Sequence, residues 1–383
     1  MAWPGISKAV ERRGRMLKVA IVGCGKIADD HASQIRRIKG CEIVGVCDRE
    51  PLMAKQLSER FQVKGFFSNL GALFDQCRPD VVHITTPPKS HFEVAKQCLL
   101  QGCHVYVEKP FTVDLQEAEE LIRLAEEKNL RMTVGHDDQF RHAARRMRDL
   151  VRSGYLGGAP VHMESHYCYE IGEGYASALL GDRRHWVRAL PGGLLQNVIS
   201  HGIARIAEFF TAEAPQVIAH GFVSPFLKRL GENEIVDELR VILCDENSAT
   251  AYFTFSSQMR PSLHQFRLYG PANGVILDQD NETLILLRGG RYKSFLEQFV
   301  PPATFAKQYA GNLAWNVRAF LAADFHSKSG MKHLIESFYK SIQDNLPVPI
   351  PYHEILRTSA IMDAIFSQLS SLPERELPSM AGS

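Results

Sequence analysis

The stretch Lys18-Val-Ala-Ile-Val-Gly23-Cys-Gly25-Lys-Ile-Ala28-Asp-Asp-His-Ala-Ser-Gln-Ile-Arg-Arg-Ile38 decides the fold. Val19 to Val22 form a continuous apolar run, the pattern of a strand buried on both faces. Gly23 and Gly25 allow a tight turn, and Ile27, His31, Ile35 and Ile38 then recur at helical spacing. Strand, glycine turn and helix together make a phosphate site. The first N–H groups of the helix point at the ligand, and the helix dipole favours an anion. Ala28 fills the third small position of a G-x-G-x-x-[GA] pattern. That pattern is weak alone, but the next apolar run, Cys41 to Cys47, is closed by Asp48. An acidic residue about 20 positions beyond the turn is where a ribose-binding carboxylate belongs. The alternative is a βαβ unit that binds nothing.

The chain has 383 residues, which at ~150 per domain suggests two domains, or three. Hydrophobic residues at 45% and charged residues at 23% are the values of a soluble globular enzyme. Lys and Arg number 44 against 43 Asp and Glu, so nothing in the charge favours nucleic acid or an anionic membrane as the main partner, and neither is expected. No run approaches the ~20 apolar residues of a membrane span. Met1 to Arg15 carries Arg12, Arg13 and Arg15 without the apolar core of a secretory signal and is expected as a solvated tail. The eight cysteines form no C-x-x-C pair and show no metal-ligand spacing, so no metal site is expected. Cys24, Cys41, Cys47, Cys77, Cys98 and Cys103 read as reduced packing residues of a cytoplasmic protein.

Beyond Asp48, strands and helices alternate. A helix is expected over Leu52 to Phe61, a short element near Val63 to Phe67 and a brief helix over Leu70 to Phe74. Strand Asp80 to Thr86 ends at Pro87-Pro88, helix His91 to Gln101 stops at Gly102, and strand His104 to Glu108 ends in Glu108-Lys109-Pro110. Helix Leu115 to Lys128 and strand Arg131 to Gly135 complete a doubly wound parallel sheet over residues 16–137. The Gly23 turn, Asp48, Thr85-Thr86 and Glu108-Lys109 all lie at strand carboxyl ends, where ligands of such sheets bind.

The rhythm changes near Phe140, opening a second domain over residues 138–370 before a tail at 371–383. His142 to Arg152 reads as a basic helix, Val161 to Tyr169 as a strand and Ala176 to Arg188 as a charged loop. A strong helix follows, Leu194 to Phe210. Gln216 to Phe222, Ile235 to Cys244, Ala249 to Phe255, Gln265 to Tyr269, Gly274 to Leu277 and Thr283 to Leu287 are strand-like without intervening helices. That succession implies a largely antiparallel sheet and an α+β class. Helices are expected over Phe305 to Phe325, His333 to Asp344 and, after the proline-rich link Pro347 to Pro351, Glu354 to Leu369.

Lys109 is the sharpest chemical candidate, a lysine at the mouth of a buried strand and fixed by the proline after it. A cis bond to Pro110 would turn it into the crevice. Glu108 beside it could pair with it or reach a cofactor. Asn197 and His201 stand one turn apart on the Leu194 helix, away from its apolar stripe of Ile199, Ile203, Ile206 and Phe210. A histidine there suits general-base work on a hydroxyl.

Gly23-x-Gly25-x-x-Ala28, Asp48, Glu108-Lys109-Pro110 and the Gly192-Gly193…His201 helix resemble the Gfo/Idh/MocA oxidoreductases over roughly residues 16 to 290. The likeness is most specific in the first domain, in Thr85-Thr-Pro-Pro-Lys-Ser-His91 and in His104 to Pro110. It implies a Rossmann domain and a second domain whose open sheet mediates dimers or tetramers. It also implies that Lys109 polarises the substrate oxygen while His201 moves the proton. The cofactor-binding positions would be Gly23, Gly25, Lys26, Ile27, Asp48, Arg49, Thr85, Pro87, His91, Glu108 and Lys109. NAD is expected from Asp48, with NADP possible through Arg49. The implied activity is an NAD(P)-dependent dehydrogenase acting on a secondary alcohol of a sugar, cyclitol or nucleotide sugar. The alternative is a non-catalytic nucleotide-binding regulator on the same fold. Two departures stand out: Asn197 occupies a position where many members carry Asp, and Gln139-Phe140 replaces an Arg-Phe pair.

Overall fold

The computed structural model describes residues 16–171, 178–245, 249–290, 292–293, 295–326 and 328–370. Both expected tails and the start of the charged loop at Ala176 lie outside these residues. Six parallel strands form the first sheet: β1 (Leu17–Val22), β2 (Cys41–Cys47), β3 (Gly65–Phe67), β4 (Val81–Ile84), β5 (His104–Val107) and β6 (Met132–Val134). Their order is β3-β2-β1-β4-β5-β6. The crossovers are α1 (Lys26–Ile35), α2 (Pro51–Phe61), α3 (Leu70–Cys77), α4 (His91–Leu100) and α5 (Leu115–Glu127). Val19, Ala20 and Ile21 are wholly buried, as a central strand covered on both faces requires. The strand order reverses between β1 and β4, and this sets a crevice beyond their carboxyl ends. Asp114 starts α5 by accepting from the Glu117 N–H at 2.9 Å, a cap worth about 1 kcal/mol.

After α6 (His142–Arg152) come β7 (His162–Cys168), α7 (Gly193–Val198), α8 (Ser200–Ala207), β8 (Gln216–Phe222) and α9 (Pro225–Arg229). Strands β9 (Glu238–Cys244), β10 (Thr250–Ser256), β11 (Leu263–Tyr269), β12 (Asn273–Asp278) and β13 (Thr283–Arg288) follow. The second sheet runs β13-β12-β11-β7-β10-β9-β8, antiparallel throughout except where β7 lies parallel to β10. Strand alternation sends Leu239, Val241 and Leu243 into the core and leaves Ile242 exposed. Against the inner face lies α8, with Ile203 and Ile206 fully buried.

Two helical expectations are corrected. Leu194 to Phe210 is two helices with a break at Ile199. Apolar periodicity passes through the break unchanged, so the sequence pattern could not show it. The helix expected from Phe305 is α10 (Leu296–Leu321), which starts nine residues earlier and continues through Pro301 and Pro302. These prolines forfeit two backbone bonds where the helix stands in solvent, and water can satisfy the freed carbonyls there. Helices α11 (Ser329–Gln343) and α12 (Tyr352–Ser370) end the described chain. Leu334, Ile335 and Phe338 of α11 join the core of the first sheet, whereas Ile361 and Ile365 of α12 join that of the second. The chain thus returns to its first domain before it ends.

Candidate active site

The glycine turn meets the demands of a phosphate cradle. Gly23 has φ +93°, and a Cβ there would stand 2.6 Å from the Thr86 nitrogen, so only glycine fits between β1 and β4. Gly25 precedes α1 with no side-chain cap, and nothing lies within 4 Å of where its Cβ would be. The N-terminus of α1 therefore has open space beside Gly25, as an anion-binding helix end requires. Asp48 closes the turn, its carboxylate accepting from the Cys24 N–H at 2.6 Å and the Glu50 N–H at 2.9 Å. Lys26 and Arg49 are exposed beside it, and Ile27 is half-buried. These residues fit the pyrophosphate and ribose of a dinucleotide.

Other expected cofactor residues face inward and brace the strand ends. The Thr85 hydroxyl donates to the carbonyls of Gly23 at 2.5 Å and Val22 at 3.1 Å. The buried His91 ring sits between the carbonyls of Pro110 at 2.8 Å and Thr86 at 2.9 Å. Pro87 leads into a 3-10 turn at Pro88–Ser90.

Lys109 follows β5, its bond to Pro110 is cis, and its ammonium donates to the Asn197 carbonyl at 2.9 Å. The Rossmann lysine thereby reaches α7 of the second domain. Burial pushes its pKa down, against the pull of Glu108, Asp137 and Asp138. Glu108 is itself buried, which raises its carboxyl. The hydrogen bond from His31 and the neighbouring Lys109 outweigh burial and hold it at about 2.

Glu108 heads a buried polar chain. His31 Nε2 donates to Glu108 Oε1 at 2.8 Å, and His31 Nδ1 lies 2.8 Å from His83 Nδ1. His83 Nε2 lies 2.8 Å from the Tyr339 hydroxyl of α11. Glu108 also accepts from the Lys109 N–H at 3.2 Å.

His201 begins α8. Its neighbour Gly202 lets the helix settle on the sheet, because a Cβ there would meet Phe253 at 2.4 Å. Carboxylates flank the ring on both sides: Asp137 Oδ1 lies 4.0 Å from Nε2, and Asp138 Oδ2 lies 3.9 Å from Nδ1. Among the described residues Nδ1 has no hydrogen-bond partner. Burial lowers the imidazole to about 4, with Lys109 adding to the fall and Asp138 opposing it. Burial, together with Asp138 and Glu108, raises the Asp137 carboxyl. Burial also acts to raise Asp138, but His201, Arg205 and Arg141 bring it well below the carboxylate range. Arg205, almost wholly buried, bonds Asp138 at 3.2 Å. His136 packs edge-on against His201 at 5.7 Å, and burial with the neighbouring His201 lowers it to about 3. Asp137, Asp138 and His201 each bring a possible metal-ligand atom within 4.8 Å of the others, though Asp138 is already committed to Arg205.

The structure therefore brings Lys109, Asn197 and His201 together at the end of β5. Sequence reasoning passed over Asp137 and Asp138, although they follow β6 as Lys109 follows β5, and the same strand-end rule would have marked them. Gln139 turns away from this cluster, donating to the Ala204 carbonyl at 3.3 Å and to Glu208 at 3.1 Å.

Residues 17–136 match the family model GFO_IDH_MocA, described as an oxidoreductase family with an NAD-binding Rossmann fold. The UDP-N-acetylglucosamine 3-dehydrogenase of Acidithiobacillus ferrooxidans is 31% identical over 149 residues, 39% of this chain and 44% of that one. The D-glucoside 3-dehydrogenase of Escherichia coli is 33% identical over 144 residues, 37% of this chain and 40% of that one. The matches thus span less than half the length of these relatives. Among solved structures, the WlbA dehydrogenase from Bordetella pertussis, in complex with NADH and UDP-GlcNAcA, superposes with a TM-score of 0.75. It covers 94% of this chain and 98% of that one at 16% identity, a likeness of fold.

Proposed function

The Rossmann domain of this chain belongs to the Gfo/Idh/MocA oxidoreductases, and from that premise we propose that the protein is an NAD(P)-dependent dehydrogenase acting on a secondary alcohol of a sugar or nucleotide sugar. The observation that carries the proposal is the contact of Lys109 with Asn197, which sets a cation from the nucleotide domain beside His201 of the second domain. Both relatives named above oxidise a sugar at its 3-position by name, which supports a carbohydrate substrate.

A bound nicotinamide nucleotide supplies the acceptor for the hydride that leaves the carbon. Lys109 holds the substrate oxygen and stabilises negative charge developing on it. His201, neutral at physiological pH because burial lowers it, takes the hydroxyl proton. Asp138 stabilises the resulting imidazolium from the Nδ1 side, and its pairing with Arg205 keeps it ionised. Asn197 supplies orientation through its carbonyl and contributes no charge. Glu108, fixed by His31, favours the ammonium form of Lys109.

Asp48 supports NAD as the preferred nucleotide, since a carboxylate accepts from the ribose hydroxyls and repels a 2′-phosphate. A cytoplasmic homo-oligomer belongs to the same reading. It is supported by eight free cysteines and by exposed Ile218, Ile242 and Tyr252 on the outer face of the second sheet. No described helix is long and apolar enough to cross a membrane.

The test is to purify the protein, identify bound nucleotide by mass spectrometry and screen sugars, polyols and nucleotide sugars for reduced-nicotinamide absorbance. Nucleotide binding without turnover of any of these compounds would favour the regulator.

A further inference from the structure

Helix α10 is exposed along most of its length. Of its 26 residues only Asn312 and Ala319 are buried. The face that meets the protein is polar. Gln308 exchanges two hydrogen bonds with the Leu286 backbone of edge strand β13, at 2.7 and 3.1 Å. Asn312 does the same with Leu284, at 3.1 and 2.9 Å. Two amides one helical turn apart thereby continue the sheet's ladder and close its edge. Arg146 of α6 completes the anchor, bonding Asn312 at 3.0 Å and lying over Trp315 at 5.2 Å.

The far side of the helix is apolar and in solvent. Phe299 is 65% exposed, Tyr309 56%, Leu313 66%, Val317 50% and Phe320 67%. At about 100° per residue these five fall within an arc of roughly 80°, while Glu297, Lys307 and Arg318 lie well outside it. Aromatic side chains present ~150–250 Å² each, so these five expose roughly 600 Å². Phe295 and Leu321 at the ends, 65% and 78% exposed, raise the total. It comes to about 800 Å², the share one partner gives to a stable standard-size interface.

Phe299, Ala306, Leu313 and Phe320 recur every seventh residue, the spacing of a helix–helix seam. The stripe is also self-complementary when reversed. About a twofold axis between Tyr309 and Ala310, Phe299 faces Phe320, Pro302 faces Val317, Ala306 faces Leu313 and Tyr309 faces Ala310. Small residues meet large ones at the centre, and aromatic rings meet at the ends. An isologous contact requires this of a single surface. A lipid surface would instead call for a polar face rich in Lys and Arg, and this helix carries only Lys307 and Arg318.

We propose that α10 is a self-association helix, pairing antiparallel with α10 of a second copy of this chain through the Phe299–Phe320 stripe. The contact is separate from the outer face of the second sheet and far in sequence from the residues placed in the active site.

The experiment uses the full chain. Light scattering should give a mass for Leu313→Glu half that of the wild type, whatever other contact the protein makes, with nucleotide affinity unchanged. Ala310→Cys, beside the axis, should be joined to a covalent dimer by a short bis-maleimide, whereas Lys307→Cys, off the stripe, should not. Thermal melts confirm that each variant is folded. Unchanged mass in folded Leu313→Glu would overturn the proposal, as would no cross-link in Ala310→Cys. So would a monomeric wild type that floats with phosphatidylcholine–phosphatidylserine vesicles and loses that binding in Leu313→Glu.

Discussion

Asp138→Asn removes the charge that faces His201 Nδ1 and leaves the shape of the side chain. Unit charges 4 Å apart interact by about 4 kcal/mol at an effective dielectric constant of about 20, and the observed separation is 3.9 Å. Most of that attraction appears only when the ring accepts a proton, so it stabilises the imidazolium of the reaction and not the resting imidazole. Turnover should fall by ~10² to 10³, at 1.4 kcal/mol per tenfold and with part of the interaction retained by the amide dipole. Nucleotide affinity should stay as it is, because Gly23, Gly25 and Asp48 are untouched. The change also strands Arg205, 2% exposed and bonded to Asp138 at 3.2 Å. Breaking such a buried pair costs about 3–5 kcal/mol of stability. A second variant separates the two effects: Asp138→Asn with Arg205→Gln replaces the ion pair by a neutral one. Melting temperature should recover in the double variant while turnover stays low. The assay is steady-state kinetics on whichever substrate the screen finds, beside thermal melts. If the double variant regained its rate along with its stability, Asp138 would act only through the fold and the reasoning would fail.

Lys109→Ala should cut turnover by about 10² or more with nucleotide binding intact, the scale of losing a positioned charge at a reacting oxygen; full activity would remove it from the mechanism. Gly23→Ala should abolish nucleotide binding in a titration, since its Cβ would stand 2.6 Å from the Thr86 nitrogen at φ +93°. A binding titration should find NAD preferred over NADP, and tenfold tighter NADP would refute the role given to Asp48. The acid limb of the rate profile should lie far below the usual histidine range, because His201 sits at about 4; Asn197→Asp should move it to higher pH by favouring the charged ring. Stability should be full above the unfolded histidine pKa of about 6.5. It should fall as pH drops towards 4, because His201 at about 4 and His136 at about 3 are neutral in the fold and take up protons on unfolding. Melts of His136→Phe should show a flatter decline.

Strands β1, β4, β5 and β6 of the Rossmann sheet were readable because each is a short, mostly apolar run, and burial on both faces makes that run continuous; edge strand β3, half-exposed, carries no such signal. The glycine turn and Asp48 were readable for a related reason: their roles are local, set by residues within one βαβ unit. His31 shows where this stops. Its spacing with Ile27 and Ile35 placed it on a helix face, yet its hydrogen-bond partners Glu108 and His83 lie 77 and 52 positions away, and His83 in turn bonds Tyr339, 256 positions further along. Periodicity reports which face of a helix is covered and carries no information about what covers it. The return of α11 to the first sheet was hidden in the same way, and so was the break at Ile199, where two short helices share one apolar stripe.

Asn197 posed the sharpest chemical doubt, since an amide cannot balance the charge of an imidazolium. The geometry answers it from another element. Asp138 comes from the 3-10 turn Asp137–Phe140 after β6, and its carboxylate lies 3.9 Å from His201 Nδ1. If His201 moves the proton as proposed, the balancing carboxylate comes from the turn after β6 and not from the histidine's own helix. The amide at 197 meanwhile offers its backbone carbonyl to Lys109. Lys109, Asp137 and Asp138 all follow strands of the first sheet, whereas His201 and Arg205 belong to the second. The proposed proton site would therefore depend on the packing of the turn after β6 against α8. A relative shift of 1 Å between them would alter the His201–Asp138 separation by a quarter. On this argument the α11 contacts with the first sheet matter to catalysis as well as to folding, because they tie the second half of the chain to the strand ends that complete its site.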